Sequence, residues 1–217
     1  KGSIAASSLA ANLNLNFDLQ NLSFDVPAPL KKEAGTALQA EITIQSTPGS
    51  KTKPHTVDWS GRIGDLISAQ GNLIDGEASR QSIGVGVIAP KPTSDTNISM
   101  QLAELNADNW QTFLNSGASK EGASSNAIAL TDVAIGQFNA QIKNFIFLNR
   151  TWPDLNINAS GKNNGLQARI NSPALAGQVD LQLNSASGKP NKVSGKLSYL
   201  HVPQANSPSP LLNSEMS

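Results

Sequence analysis

The stretch LAANLNLNFDLQ, residues 9 to 20, alternates apolar and polar side chains. The odd positions are apolar throughout, and the even positions after Ala10 carry only Asn, Asp or Gln. Successive side chains of a β-strand point to opposite faces of the sheet. This period of two therefore predicts a strand with one apolar face and one polar face.

The same alternation recurs along the chain and predicts further strands. Examples are residues 38–44, 83–87, 98–102, 138–142, 155–159, 166–170 and 179–183. Turn sequences such as TPGS at 47–50 and GKNNG at 161–165 separate them, and short connections favour antiparallel pairing. In residues 106–114 the apolar positions instead have helical spacing, with Asp108 as the predicted N-cap. We expect an all-β fold with one short helix, built on an antiparallel amphipathic sheet.

The apolar face of such a sheet must be covered. Periodicity alone favours a second sheet packed on it, which gives a β-sandwich. Alternatively the sheet curls and something other than protein occupies its apolar side. We expect one unit over residues 1–203, with a possible internal boundary in the Ser- and Gly-rich loop 115–126. Residues 204–217 are expected to be a linker to a following segment.

Composition excludes several functions. The 217 residues have a formal net charge of zero, which argues against nucleic-acid binding. They include no cysteine, which excludes disulfides and Cys-based zinc sites. No apolar run approaches the ~18 residues that span a bilayer. His55 and His201 are isolated, and the carboxylates are scattered. We therefore predict no catalytic residues, no metal site, no cofactor and no enzymatic activity.

Three strings in this order are similar to one family. They are LSFDVPAPLKKEAG at 22–35, GLQARINSPALAGQV at 165–179 and KVSGKLSYLHVP at 192–203. Between the first two lie a strand with Trp59, a Gly-rich strand ending at Pro90 and the sequence LNADNW at 105–110. Together they resemble the YhdP-type, AsmA-like proteins of Gram-negative bacteria over about residues 9–203. Leu166 departs from the family pattern, which often has Trp there.

The resemblance implies a curved sheet that forms a groove. It further implies an internal segment of a bridge-like phospholipid carrier between inner and outer membrane, which supports the outer-membrane permeability barrier. The carrier would lie in the periplasm, anchored in the inner membrane by a segment outside this chain. Its partners would be phospholipid acyl chains and the adjoining segments of the same long chain.

The residues expected to line the groove are the apolar members of the alternating strands. They are Leu13, Leu15, Phe17, Leu19, Ile42, Ile44, Ile83, Val85, Val87, Ile98, Met100, Leu102, Phe138, Ile142, Leu155, Ile157, Ala168, Ile170, Val179, Leu181 and Leu183. The alternative is a β-sandwich binding or adhesion module, in which the same side chains form a dry core. Lipid extracted from the purified protein would distinguish the two.

Overall fold

The computed structural model describes residues 10–93, 95–118, 135–162, 165–182 and 192–206. They form eleven strands and one helix. In chain order these are β1 (Ala11–Asp18), β2 (Gln39–Thr47), β3 (Thr56–Ile63), β4 (Ile67–Ile74), β5 (Glu77–Val85), β6 (Thr96–Asn106), α1 (Ala107–Ala118), β7 (Ile135–Phe147), β8 (Arg150–Lys162), β9 (Gly165–Asn171), β10 (Leu175–Gln182) and β11 (Lys192–Leu200). The expected all-β class with one short helix is confirmed.

All eleven strands belong to one open sheet in which spatial order follows chain order, β1 to β11. Most neighbours are antiparallel, but β6 runs parallel to both β5 and β7. The sheet is therefore mixed rather than purely antiparallel. Two parallel neighbours need a long connection, because the chain must return to the same end of the sheet before the second strand begins. Residues 86–95 provide one after β5, and α1 begins the other after β6.

The connection between β5 and β6 crosses the polar side of the sheet at residues 87–90. The Ser68 hydroxyl donates to the Val87 carbonyl at 3.0 Å, and the Ser82 hydroxyl donates to the Pro90 carbonyl at 2.6 Å. The Gln70 amide donates to the Ala89 carbonyl at 2.7 Å. These sheet residues alternate with the apolar positions of β4 and β5. The crossover consequently leaves the apolar side of both strands uncovered.

No second sheet is present in the part of the chain that the structure describes, so the expectation of a sandwich is wrong. Even so, Ile142 and Leu155 are each only 4% exposed. Their cover comes from side chains of the same sheet, including Met100, Phe138 and Ile170. A flat single layer would leave such side chains open to solvent. The sheet therefore curves around its apolar side.

Residues 19–38, which we call the loop arm, join β1 to β2. An isolated bridge pairs Phe24 with Lys32 inside the arm. Lys32 is buried, and its ammonium donates to the carbonyls of Gln20 at 3.1 Å, Leu22 at 2.6 Å and Glu33 at 3.2 Å. An ammonium has three donors, so one lysine organises three points of the arm. The Ala28–Pro29 peptide bond is cis.

The helix α1 begins after a different cap from the one predicted. The Asn106 side-chain oxygen accepts from the Asn109 backbone N–H at 3.0 Å, so Asn106 is the N-cap. Asp108 instead accepts from the backbone N–H groups of Leu148 at 2.9 Å and Asn149 at 2.8 Å. Both turn residues have positive φ, 53° and 54°, which is uncommon for a leucine. The carboxylate thus fixes α1 to the β7–β8 turn.

The chain beyond β11 folds back along the sheet. The His201 N–H donates to the Ala174 carbonyl at 2.7 Å, and the Asn206 N–H donates to the Asn149 carbonyl at 2.7 Å. Residues 204–206 of the expected linker therefore lie against the sheet, and 207–217 fall outside the described residues. Of the expected boundary loop, residues 115–118 belong to α1 and 119–126 fall outside the described residues. Strands β6 and β7, which flank it, pair directly.

Candidate functional site

Two rows of side chains cross all eleven strands on one face of the sheet, which we call the apolar face. Residues directly opposite each other in paired strands point to the same side. The register gives one row as Leu15, Ile42, Gly61, Ala69, Ile83, Ile98, Phe138, Ala159, Ala168, Val179 and Gly195. The second is Phe17, Ala40, Ile63, Ile67, Val85, Met100, Ala140, Ile157, Ile170, Gly177 and Leu197. Neither row contains a polar side chain.

The row between these two lies on the opposite face and is polar wherever it carries a side chain. Its members are Asn16, Glu41, Arg62, Ser68, Gly84, Ser99, Asn139, Asn158, Arg169, Gln178 and Lys196. The faces therefore stay distinct from the first strand to the last. At ~4.8 Å per strand spacing, the two apolar rows extend for about 48 Å along the arc of the sheet.

The structure brings most of the predicted groove residues together on this face. Register and strand alternation place there Leu13, Leu15, Phe17, Ile42, Ile44, Ile83, Val85, Ile98, Met100, Leu102, Phe138, Ile142, Leu155, Ile157, Ala168, Ile170, Val179 and Leu181. Leu19 and Val87 lie just beyond β1 and β5. Leu183 falls outside the described residues. The contact of these residues with lipid stays a prediction.

Several members of the face were missing from the predicted set. Ile63, Ile67 and the small residues of the two rows other than Ala168 share the face, and so does Trp59, which is opposite Ile44. A Cβ atom added to Gly71 would lie 2.9 Å from Cζ2 of Trp59, so the indole packs over this glycine. Alternation could have assigned Ile63 and Trp59 to the face. Glycine and alanine carry a weak hydrophobic signal, and among the small residues of the two rows the predicted set contained only Ala168.

Two pairs of polar side chains lie on the apolar face. Gln81 and Thr96 are opposite each other in β5 and β6, and the Gln81 amide donates to the Thr96 hydroxyl at 2.9 Å. Ser46 and the His55 ring nitrogen Nε2 are 2.9 Å apart. Paired groups of this kind lose less on leaving water than unpaired ones.

Apolar surface is most open at the two edges of the sheet. In β1, Leu13 is 47% exposed and Phe17 is 44% exposed. In β11, Val193 is 67% exposed and Leu197 is 46% exposed. Contiguous apolar exposure on this scale is typical of a surface that binds another molecule. The described part of the face is thus continuous, uncharged in its two central rows and uncovered.

Charged side chains lie mainly on the polar face and in the connections. Arg62 on β3 donates to Glu41 on β2 through Nε at 3.0 Å and Nη2 at 3.1 Å. This hydrogen bonding, together with the carboxylate charge, raises the pKa of Arg62 above its ordinary value. Glu33 raises the pKa of Lys31 in the same way within the loop arm. Both pairs are solvent-exposed, so they contribute little to stability.

The described residues contain no group of three or more His, Asp or Glu side chains arranged to hold a metal ion. Nor does any helix among them have the length and apolar character that crossing a membrane requires. In the part of the chain that the structure describes, the arrangement offers a long apolar surface without an assembled set of acids, bases or nucleophiles on it. Its chemical capacity is to shield hydrocarbon from water.

This open, single-layer amphipathic sheet defines a class of protein that presents hydrocarbon-like surface without enclosing it. The family model described as "YhdP protein" matches residues 2–216. The chain belongs to this family, as the three strings at 22–35, 165–179 and 192–203 indicated. Searches of curated proteins and of solved structures found no match.

Proposed function

We propose that this chain is a segment of a phospholipid carrier in which acyl chains lie along the apolar face. Membership of the YhdP family suggests an AsmA-like role in lipid transport. The observation that carries the proposal is the pair of central rows, which cross eleven strands without one polar side chain. A sheet that needed only a dry core would have a second layer on this face, and the described chain has none.

The physics of hydrocarbon burial suits movement along such rows. Each methylene removed from water contributes about 0.8 kcal/mol, and the interaction has no preferred direction. An acyl chain can therefore shift from one pair of strands to the next at little cost. Headgroups would remain in water beyond the strand ends.

The cellular location and the adjoining segments are part of the same proposal. The carrier would lie in the periplasm and connect the inner and outer membranes, with its inner-membrane anchor outside this chain. Adjoining segments of the same long chain would continue the sheet beyond β1 and β11, whose outer edges are unpaired in the described residues. Phospholipid supplied along this path would support the outer-membrane permeability barrier.

Lipid analysis of the purified segment tests the central claim. After expression in Gram-negative cells and purification without detergent, organic extraction and mass spectrometry should detect bound phospholipid. A β-rich protein of similar size, purified in parallel, measures how much phospholipid co-purifies without specific binding. A correctly folded segment that holds no more phospholipid than this control would contradict the proposal.

A charge on the apolar face should remove the lipid. Leu181→Asp would place a carboxylate on β10, where Leu181 is opposite Leu166 and Val193. We expect at least a tenfold loss of co-purified phospholipid, because hydrocarbon contact would require the carboxylate to lose water. Gln182→Asp, one residue along and on the opposite face, is the matched control and should retain lipid. Equal lipid content in the two folded variants would count against the groove.

A further inference from the structure

Two ordered elements meet at one rim of the sheet. The loop arm follows β1 and α1 follows β6. Strands β1 and β6 run in the same direction, because four antiparallel pairings lead from β1 to β5 and the pairing of β5 with β6 is parallel. At this shared rim the indole Nε1–H of Trp110 donates to the Ala28 carbonyl at 2.9 Å. The contact joins residues 82 positions apart in the chain.

The arm is built to hold its shape. Two backbone hydrogen bonds link Phe24 and Lys32, at 2.9 and 3.1 Å. The Lys32 ammonium adds its three carbonyl contacts within the same arm. At the base, the Gly35 N–H donates to the Gln20 carbonyl at 2.8 Å. The position of Ala28 is thus fixed relative to β1 and β2.

The helix is anchored equally well on its own side. The Asp108 carboxylate holds the N–H groups of Leu148 and Asn149 in the β7–β8 turn. The Trp110 ring packs edge-on against Phe113, with ring centroids 5.9 Å apart. The position of the indole is thus fixed relative to β6, β7 and β8.

Trp110 and Ala28 therefore connect two anchored parts of a curved sheet. Between β2 and β6 the sheet has four strand spacings, roughly 19 Å along its arc. We propose that the Trp110–Ala28 contact is a clasp that fixes the curvature of the sheet between β2 and β6, with Trp110 as its positioning residue. Its effect on lipid rests on the proposed function, whereas its effect on curvature does not.

A distance measurement tests the clasp directly. The chain has no cysteine, so Gln39→Cys on β2 and Gln101→Cys on β6 can be spin-labelled without background; both side chains are exposed. Double electron–electron resonance should give one narrow distance distribution in the parent protein. In Trp110→Phe, which keeps an aromatic ring but loses the N–H donor, we expect the distribution to broaden at least twofold.

Trp152→Phe is the matched control. The Trp152 indole N–H donates to the Phe147 carbonyl at 3.3 Å, within its own hairpin and only five residues away. This variant loses the same kind of bond and should keep the narrow distribution. An unchanged distribution in folded Trp110→Phe, or equal broadening in both variants, would overturn the clasp.

A second variant and a lipid measurement ensure that the test of the clasp does not depend on Trp110→Phe alone. If circular dichroism shows that Trp110→Phe does not fold, Lys32→Gln tests the same clasp by loosening the arm away from the contact, and it too should broaden the distribution. Lipid content is measured in every variant. Less lipid in Trp110→Phe than in Trp152→Phe would show that the clasp also affects lipid binding. Absence of lipid from the parent protein would defeat the proposed function and leave the distance result standing.

Discussion

Gly61 and Gly71 show how finely the apolar face is packed at the scale of single residues. They lie on adjacent strands and on the same face. A Cβ at Gly61 would have its nearest neighbour, the Glu41 carbonyl oxygen, at 3.5 Å. A Cβ at Gly71 would lie 2.7 Å from the Arg80 carbonyl oxygen and 2.9 Å from the Trp59 ring. One glycine therefore has space for a methyl group and the other supports an indole.

The same substitution should consequently have opposite outcomes at the two sites. Gly71→Ala forces Trp59 or the β5 backbone to move and should destabilise the protein by about 1–3 kcal/mol. Gly61→Ala should be neutral or slightly stabilising, because alanine restricts the unfolded chain. Urea unfolding of the purified segment measures both. Equal midpoints for the two variants would show that Trp59 does not depend on Gly71.

At the scale of single elements, the sequence did not reveal what caps α1 or what Asp108 binds. Asn106 and Asp108 are both good capping types, and sequence spacing favoured Asp108. The structure gives the cap to Asn106 and joins Asp108 to a turn 40 residues away. Local patterns cannot reveal an acceptor's partner at that separation. The alternation of β1 and β2, in contrast, depends only on neighbouring residues and was read correctly.

Removing the Asp108 carboxylate should release the β7–β8 turn. In Asp108→Ala, the amides of Leu148 and Asn149 lose a charged acceptor, and hydrogen bonds to charged groups contribute about 1.5–3 kcal/mol. Hydrogen exchange at these two amides should accelerate by roughly 10- to 100-fold. Asn109→Ala, on the same helix, keeps the carboxylate and should leave both rates unchanged. Equal exchange rates in Asp108→Ala and the parent protein would show that Asp108 does not stabilise the β7–β8 turn.

At the scale of the whole molecule, the sequence predicted which residues share a face but not what covers it. Period-two alternation reports the two sides of each strand, as at Leu13 to Phe17, and family resemblance favoured a groove. The sandwich was wrong because an amphipathic strand has the same pattern whether its apolar side meets protein or another molecule. The parallel neighbours of β6 were also missed, since pairing direction depends on the path of residues 86–95 rather than on strand composition.

A segment whose two edge strands are unpaired in the described residues should self-associate. Val193 on β11 is 67% exposed on the apolar face, and exposed edge strands promote pairing with other chains. Val193→Lys should weaken association at least tenfold by adding a charge to that side of the edge. Ser194→Lys, on the same strand and the opposite face, should have a smaller effect. Sedimentation velocity over a range of concentrations provides the comparison, and a parent protein that stays monomeric throughout would contradict the prediction.

The strand order of the sheet also has a consequence for how the chain acquires its structure. Each strand from β2 onward pairs with the strand that precedes it in the chain. Few pairings must wait for a distant segment, so the entropic cost of closing long loops is kept low. Folding can then proceed from β1 as successive strands become available, each new strand adding to an edge already formed. A longer chain of the same design could grow without exposing a large unfolded intermediate.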